Sequence, residues 1–196
     1  MKQLLTLAVT SAFAANAVLQ LGLGLRDLVA SRKANTRGPL VPAVSMFVSA
    51  VLAWPLFSYA IAPLSLGYLE SFLLFPFSAL IGVCVEGLFA RLRPTGLSPS
   101  NSALSAFDGL AYGSAYLCLR YAATAVEAVF VALGASLGFL FCALLLDSIR
   151  RRAEVEAVPE RLRGAPLILI SAGLLALLSL FGAAALLAAL GAGKPF

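Results

Sequence analysis

Between two long apolar runs, residues 147–164 form the chain's only long polar segment, with Arg150, Arg151, Arg152, Arg161 and Arg163 set among Glu154, Glu156 and Glu160. In short loops between membrane spans, arginine and lysine are retained on the cytoplasmic face. Five arginines therefore fix the side of a bilayer on which this segment lies, and the neighbouring segments take alternating orientations from it. Composition makes the flanking runs membrane spans. Apolar residues make up 61% of the chain, charged residues only 12%, and the mean hydropathy is +0.98, far above that of a soluble globular protein. At roughly 20 residues per span, the 196 residues allow six or seven spans in one domain and leave no room for a soluble catalytic module. Any chemistry belongs within the bilayer.

The net charge of +5 does not mark a nucleic-acid binder, because the basic residues cluster in short loops and form no stripe with interleaved aromatics. Cys84, Cys118 and Cys142 are isolated on apolar runs with no Cys-x-x-Cys pair, so neither a disulfide framework nor a zinc ribbon is readable. Histidine is absent. That removes the commonest metal ligand, the usual general base and any Ser-His or Cys-His pair, and with them conventional hydrolase chemistry.

Six spans are predicted, over about 4–25, 40–62, 68–90, 103–120, 125–146 and 165–190. Residues 1–17 also have the form of a secretory signal, with Lys2, an apolar core, and small residues at Ala12 and Ala14 and again at Ala15 and Ala17. The apolar run continues past them to Leu25, which favours a span. Asn16 falls in mid-span, where an amide bonds to a neighbouring helix or marks a break in its own. Pro55 is expected to kink the second span and Pro76 to interrupt the third. Gly109 and Gly113 in the fourth span, and Gly134 and Gly138 in the fifth, are small-xxx-small patterns for close helix packing.

The loops after the first, third and fifth spans hold eleven basic residues, and the opposite face only Lys2, Arg120 and Lys194. The odd loops are thus expected in the cytoplasm and both termini outside. Trp54, Tyr59, Tyr68, Tyr116 and Tyr121 fall toward the outer helix ends, as an interfacial belt would. Residues 94–102, PTGLSPSNS, divide the chain into halves 1–93 and 103–196. Three spans per half force the second half into the membrane upside down relative to the first, the geometry of an inverted repeat. The fold class is therefore an all-α integral membrane protein of six transmembrane helices in two inverted three-helix halves. A short internal match accompanies it: Leu23-Gly24-Leu25-Arg26 resembles Leu117-Cys118-Leu119-Arg120.

Acids within spans are the default functional residues, since even lenient insertion scales charge roughly +2.5 to +3.5 kcal/mol for an aspartate at a helix centre. Asp108 lies about 9 Å inside the fourth span and is the foremost candidate for handling an ion or proton. Its alternative reading is a helix-start aspartate. Glu86 precedes Arg91 by five residues, about 7.5 Å of helix, and either serves an ion path or reaches the cytoplasmic interface. Glu127 follows Thr124 at capping-box spacing, which favours a structural role at the start of the fifth span. Asn16 completes the ion-path candidates.

Residues spread along the chain resemble those of the six-span subunits of the Rnf and Nqr respiratory complexes, closest to the A subunit of Rnf and the E subunit of Nqr. They are Val18-Leu19, Gly24-Leu25, Ser31-Arg32-Lys33, Ala53-Trp54, Ser58-Tyr59, Pro63-Leu64, Tyr68-Leu69, Glu86, Ile149-Arg150 with Arg152, Val158-Pro159, Arg163-Gly164 and Ala172-Gly173-Leu174. The resemblance implies a membrane component of an ion-translocating electron-transport complex in a bacterial or archaeal cytoplasmic (inner) membrane, paired in the lipid bilayer with a homologous subunit of inverted topology. Flavin and iron-sulfur centres are then expected on partner subunits. In the family, such a pair shares an intramembrane [2Fe-2S] cluster through two cysteines from each member. Here those positions fall on Leu25 or Arg26 and, in the fourth span, around Asp108 to Ala111, with Gly109 the best match and Cys118 about two helical turns away. Because iron in such clusters is held by thiolates, no cofactor is expected in this chain. Two other readings stay open: a stand-alone inverted-repeat transporter using the same acids, and a cofactor-free membrane scaffold.

Overall fold

The computed structural model describes residues 2–14, 16, 19, 22, 39–61, 70–92, 109–155, 159 and 165–189. Among these the ordered elements are helical throughout, without strands: α1 (Lys2–Val9), α2 (Leu40–Leu56), α3 (Glu70–Leu92), α4 (Leu110–Tyr121), α5 (Ala125–Val155) and α6 (Ala165–Ala189). Wider π-helical turns extend α1 over Thr10–Ala14 and α2 over Phe57–Ile61. Helices suit an apolar medium because each satisfies its own backbone. Among the described residues three stretches are long and apolar enough to cross a membrane, namely Leu40–Tyr59, Ala125–Ala153 and Pro166–Leu186.

Proline acts differently in the two helices that contain it. Pro55 has no N–H to give the carbonyl one turn back, and two residues later the Phe57 amide is shared between the Ala53 and Trp54 carbonyls as the wider turn begins. Pro76 does not interrupt its helix: α3 runs unbroken from Glu70 to Leu92. One lost hydrogen bond near the start of a 23-residue helix leaves enough backbone pairing to carry the helix through.

The fifth helix is longer than its apolar pattern indicates. Thirty-one residues reach about 46 Å, against a hydrocarbon core of about 30 Å, so the last turns, which carry Arg150, Arg151 and Arg152, extend past the length that the core requires. There Arg151 pairs with Asp147 one turn back at 2.9 Å. The first turn of α5 is fixed by a reciprocal cap. The Glu127 carboxylate accepts from the Ala123 and Thr124 amides at 2.9 and 3.3 Å, while the Glu127 amide donates to the Thr124 hydroxyl at 3.3 Å.

Helix directions follow from the packing. Ala50 and Trp54 of α2 and Cys118 of α4 meet Ala128, Val131 and Ala132 near the start of α5. Ala43, Met46 and Leu110 meet Ala135 and Phe139 further along it. Thus α2 and α4 run parallel to each other and antiparallel to α5. The Trp54 indole, expected at the lipid interface, is instead buried and donates to the Ala122 carbonyl at 3.1 Å, satisfying a group that the end of α4 leaves without a helical partner.

Candidate functional site

Two helix ends meet α5 at the same level. The first is α1, whose regular turns end at Val9 and whose wider turn ends at Ala14. Asn16 follows outside any helix and is buried to 2% exposure. Its Nδ2 donates to the Ala12 carbonyl at 2.7 Å and contacts Cys142 Sγ at 3.5 Å, while its Oδ1 accepts from the Leu19 amide at 3.4 Å. An amide in an apolar surrounding must find partners, and this one bonds to its own broken helix and to a neighbour at once.

The glycines of α5 make this approach possible. A Cβ on Gly134 would collide with the Ser11 hydroxyl and the Ala8 carbonyl; one on Gly138 would collide with the Ala12 carbonyl and stand 2.9 Å from Asn16 Nδ2. The pairing advances in the same direction along both helices, so α1 is parallel to α5. Gly134 and Gly138 therefore perform the close packing that their spacing indicates.

The second helix end is the start of α4. The fourth span, expected from Ala103, is helical among the described residues only from Leu110, after Gly109 in the left-handed conformation at φ 74°. Its twelve residues make about 18 Å of helix. Gly109 thus serves as a turn residue, a conformation that costs side-chain-bearing residues roughly 1–2 kcal/mol. From there α4 lies on α2 through paired serines, both fully buried. Ser49 Oγ is 3.1 Å from the Met46 and Ala111 carbonyls, and Ser114 Oγ is 3.0 Å from the same two oxygens. Each hydroxyl so has an acceptor on its own helix and one on the opposite helix.

Asn16 touches α5 at Cys142, and Leu110 packs with Ala135 and Phe139, all near the middle of the apolar stretch Ala125–Ala153. The carbonyl end of α1 and the amide end of α4 converge there. A helix carries partial negative charge at its carbonyl end and partial positive charge at its amide end, so the junction sets two opposite fixed charges about one level of α5.

Of the sequence-predicted site residues, Asn16 lies at this junction. Asp108 lies outside the described residues, immediately before Gly109. Glu86 is on α3, with its side chain outside the described residues, and Glu127 is at the far end of α5, engaged in its cap. Ser49 and Ser114 carry no motif in the sequence, and nothing there distinguishes them from other serines. The cysteines stand apart. Cys84 is exposed on α3, Cys118 Sγ donates to the Ala128 carbonyl at 3.3 Å, and Cys142 is fourteen residues further along α5, about 21 Å away.

These features define a helical membrane protein in which the end of α1 and the start of α4 meet on α5. Comparison with characterised proteins narrows the class. The chain matches no family model. It is 30% identical over 181 residues to the A subunit of the Na(+)-translocating ferredoxin:NAD(+) oxidoreductase complex of Acetobacterium woodii, covering 89% of this chain and 93% of that protein. It is 29% identical to the A subunit of the ion-translocating oxidoreductase complex of Syntrophotalea carbinolica over 90% of this chain and 94% of the relative. The corresponding protein of Pasteurella multocida is 28% identical, with 90% and 95% covered. The chain belongs to the family of A subunits of Rnf-type ion-translocating oxidoreductase complexes.

Proposed function

We propose that the chain is a membrane subunit of an ion-translocating electron-transport complex that provides scaffold and part of an ion path and holds no cluster of its own. The observation that carries this reading is the junction of the end of α1 with the start of α4 at mid-length of α5, joined to the family membership of nearly the whole chain. Asp108 and Glu86 are the acids that receive the ion on this reading, and Asn16 holds the broken end of α1 beside the path. Glu127, bonded to two backbone amides, contributes through the cap.

Six spans in two inverted halves, with both termini outside, remain part of the proposal. Exchanging the halves maps α1 onto α4, α2 onto α5 and α3 onto α6. The contact of α1 with α5 then becomes that of α4 with α2, and the contact of α3 with α4 becomes that of α6 with α1; all four pairs are in contact. The offset between Leu23-Gly24-Leu25-Arg26 and Leu117-Cys118-Leu119-Arg120 sets Asn16 opposite Leu110, so the interruption of α1 coincides with the start of α4. A homologous subunit of inverted topology is the expected partner, with flavin and iron-sulfur centres on further subunits.

The residues present do not suit the family's cluster. The position in the fourth span falls between Asp108 and Ala111, where no residue is a cysteine; Gly109, its best match, has no ligand atom and a left-handed backbone, and Cys118 and Cys142 are too far apart to bind one cluster. Arginine or leucine at the first position supplies no thiolate either.

Purification of the tagged chain from its native membrane is expected to bring down flavin- or iron-bearing subunits, and Asp108→Asn is expected to abolish ion flux in that complex. The isolated chain is expected to lack stoichiometric iron and the visible absorption of a [2Fe-2S] centre. A chain that purifies alone and takes up sodium unaided would instead be a stand-alone transporter.

A further inference from the structure

The outward face of α5 changes from apolar to basic without a break in the helix. Leu137, Phe141 and Leu144 are exposed on one side of it. Ser148, Arg151 and Arg152, exposed as well, continue the same series at spacings of three and four residues, which keeps all six on one face. Arg151 is paired with Asp147 one turn back. The Ser148 hydroxyl and the Arg152 guanidinium have no hydrogen-bond or ion-pair partner among the described residues. The depth of these groups follows from the other end of the helix. The carboxylate of the Glu127 cap keeps out of hydrocarbon, and about 30 Å of helix counted from it, the thickness of a hydrocarbon core, ends at Asp147. Arg151 and Arg152 stand about 6 and 8 Å further along the axis, at the level of the roughly 5–8 Å that headgroups occupy on each side.

We infer that this end of α5 binds an anionic phospholipid of the adjoining leaflet, whose acyl chain lies along Leu137, Phe141 and Leu144 and whose phosphate is received by Arg152, Arg151 and the Ser148 hydroxyl. No ion path is required for this, only that α5 cross the bilayer, for which it is long and apolar enough. Guanidinium forms charge-assisted, two-pronged hydrogen bonds to phosphate oxygens, and a serine hydroxyl adds a further donor. Because α5 continues as helix through Arg152, these donors are held in register with the apolar positions beneath them, as they would not be on a loop. The dimensions agree: Leu137 to Arg152 is fifteen residues, about 22 Å, and one leaflet with its headgroups is about 20–23 Å deep. A zwitterionic headgroup also carries a phosphate, but its ammonium cancels the charge, so the unpaired guanidinium selects a headgroup of net negative charge. An acidic protein surface outside the bilayer would meet the arginines alone, whereas a phospholipid uses both parts of the face. Asp147 opposes the binding by holding Arg151.

Brominated lipids quench a tryptophan they touch and so report which phospholipid lies against it. Leu144→Trp is made in the full chain, with the buried Trp54 as a constant background, and the protein is placed in nanodiscs of phosphatidylcholine and phosphatidylglycerol with one or the other brominated. Phosphatidylglycerol is expected to outcompete phosphatidylcholine beside position 144 by about fivefold, the attraction of one arginine at an anionic surface. Leu133→Trp, on the same face toward the other leaflet, is expected to show no preference. Arg151→Gln with Arg152→Gln is expected to bring the ratio at 144 close to one. Asp147→Asn, which releases Arg151, is expected to raise it, a gain that a damaged fold would not produce. Equal quenching by the two lipids at 144, a preference matched at 133, or one that survives the loss of both arginines would overturn the site. A ratio that does not rise in Asp147→Asn would take Arg151 out of it. In the native complex the same tryptophan is expected to remain open to brominated phosphatidylglycerol. Emission quenched by neither lipid there would show a protein subunit covering this face and would overturn the lipid assignment.

Discussion

On the proposed inverted-repeat reading the contact of α1 with α5 and that of α4 with α2 are equivalent, yet they bring helices together by different chemistry. On α5 the receiving surface is two glycines, and the incoming helix presents its Ala8 and Ala12 carbonyls, a serine and the Asn16 amide. On α2 the receiving surface carries the Ser49 hydroxyl, and α4 answers with that of Ser114. Lipid tails give two apolar helices no hydrophobic reason to associate, so close packing and hydrogen bonds must do so. A broken helix needs room for its distorted backbone, which only residues without a Cβ provide; a regular helix start tolerates side chains and can be clasped by them. The difference separates a contact that accommodates from one that fastens.

Refilling the glycine contact should do the most damage. In Gly138→Leu the new side chain meets the Ala12 carbonyl at once, and backbone cannot yield as a flexible side chain does. Overpacking of this kind costs about 3 kcal/mol or more. The variant is expected to lose most of its folded fraction in detergent, measured by denaturant titration followed by helical circular dichroism. A Gly138→Leu protein as stable as wild type would mean that α1 does not lie where α5 has room for it.

Smaller losses test the two interruptions separately. Gly109→Ala puts a Cβ on a left-handed residue and is expected to cost about 1–2 kcal/mol, with α4 intact beyond its first turn. Asn16→Ala removes one donor to the Ala12 carbonyl and the acceptor of the Leu19 amide. The expected cost is about 1 kcal/mol, in the range of polar contacts between membrane helices. The same titration orders the pair. If Asn16→Ala proved the more damaging, the amide would hold more of the junction than the strained turn does.

Much of this arrangement is legible in the residues, because some requirements leave a local pattern. Gly134 and Gly138 announce a close approach, Thr124 and Glu127 a capping box, and Asn16 a break or a polar contact. Other features depend on what lies across the interface. Gly109 reads as half of a packing pair with Gly113, but φ is decided by the turn the backbone makes there, and a glycine suits either use. Pro76 reads as an interruption, yet the cost of one missing hydrogen bond is spread over a long helix. Trp54 reads as an interfacial anchor until the Ala122 carbonyl brings its indole inside. The arginines after Leu146 read as loop, although a helix satisfies its backbone in water as well as in lipid and continues to Val155, helped by the pairing of Asp147 with Arg151. Serine is too common in membrane helices to be marked as a partner, so Ser49 and Ser114 become significant only when α2 and α4 are placed side by side.

The serine contact offers the finest test, because its energy should not divide between its members. With two hydroxyl protons and four close carbonyl contacts, either serine alone can still donate across the interface after the other is removed. Ser49→Ala and Ser114→Ala are therefore each expected to cost little, about 0.5 kcal/mol. The double variant is expected to cost more than the sum of the singles, leaving a coupling of at least about 0.5 kcal/mol in a double-mutant cycle. Additive losses would mean that each hydroxyl bonds only to its own helix, at Met46 or Ala111. The contact would then rest on the small size of the side chains alone, and the distinction from the glycine contact would disappear.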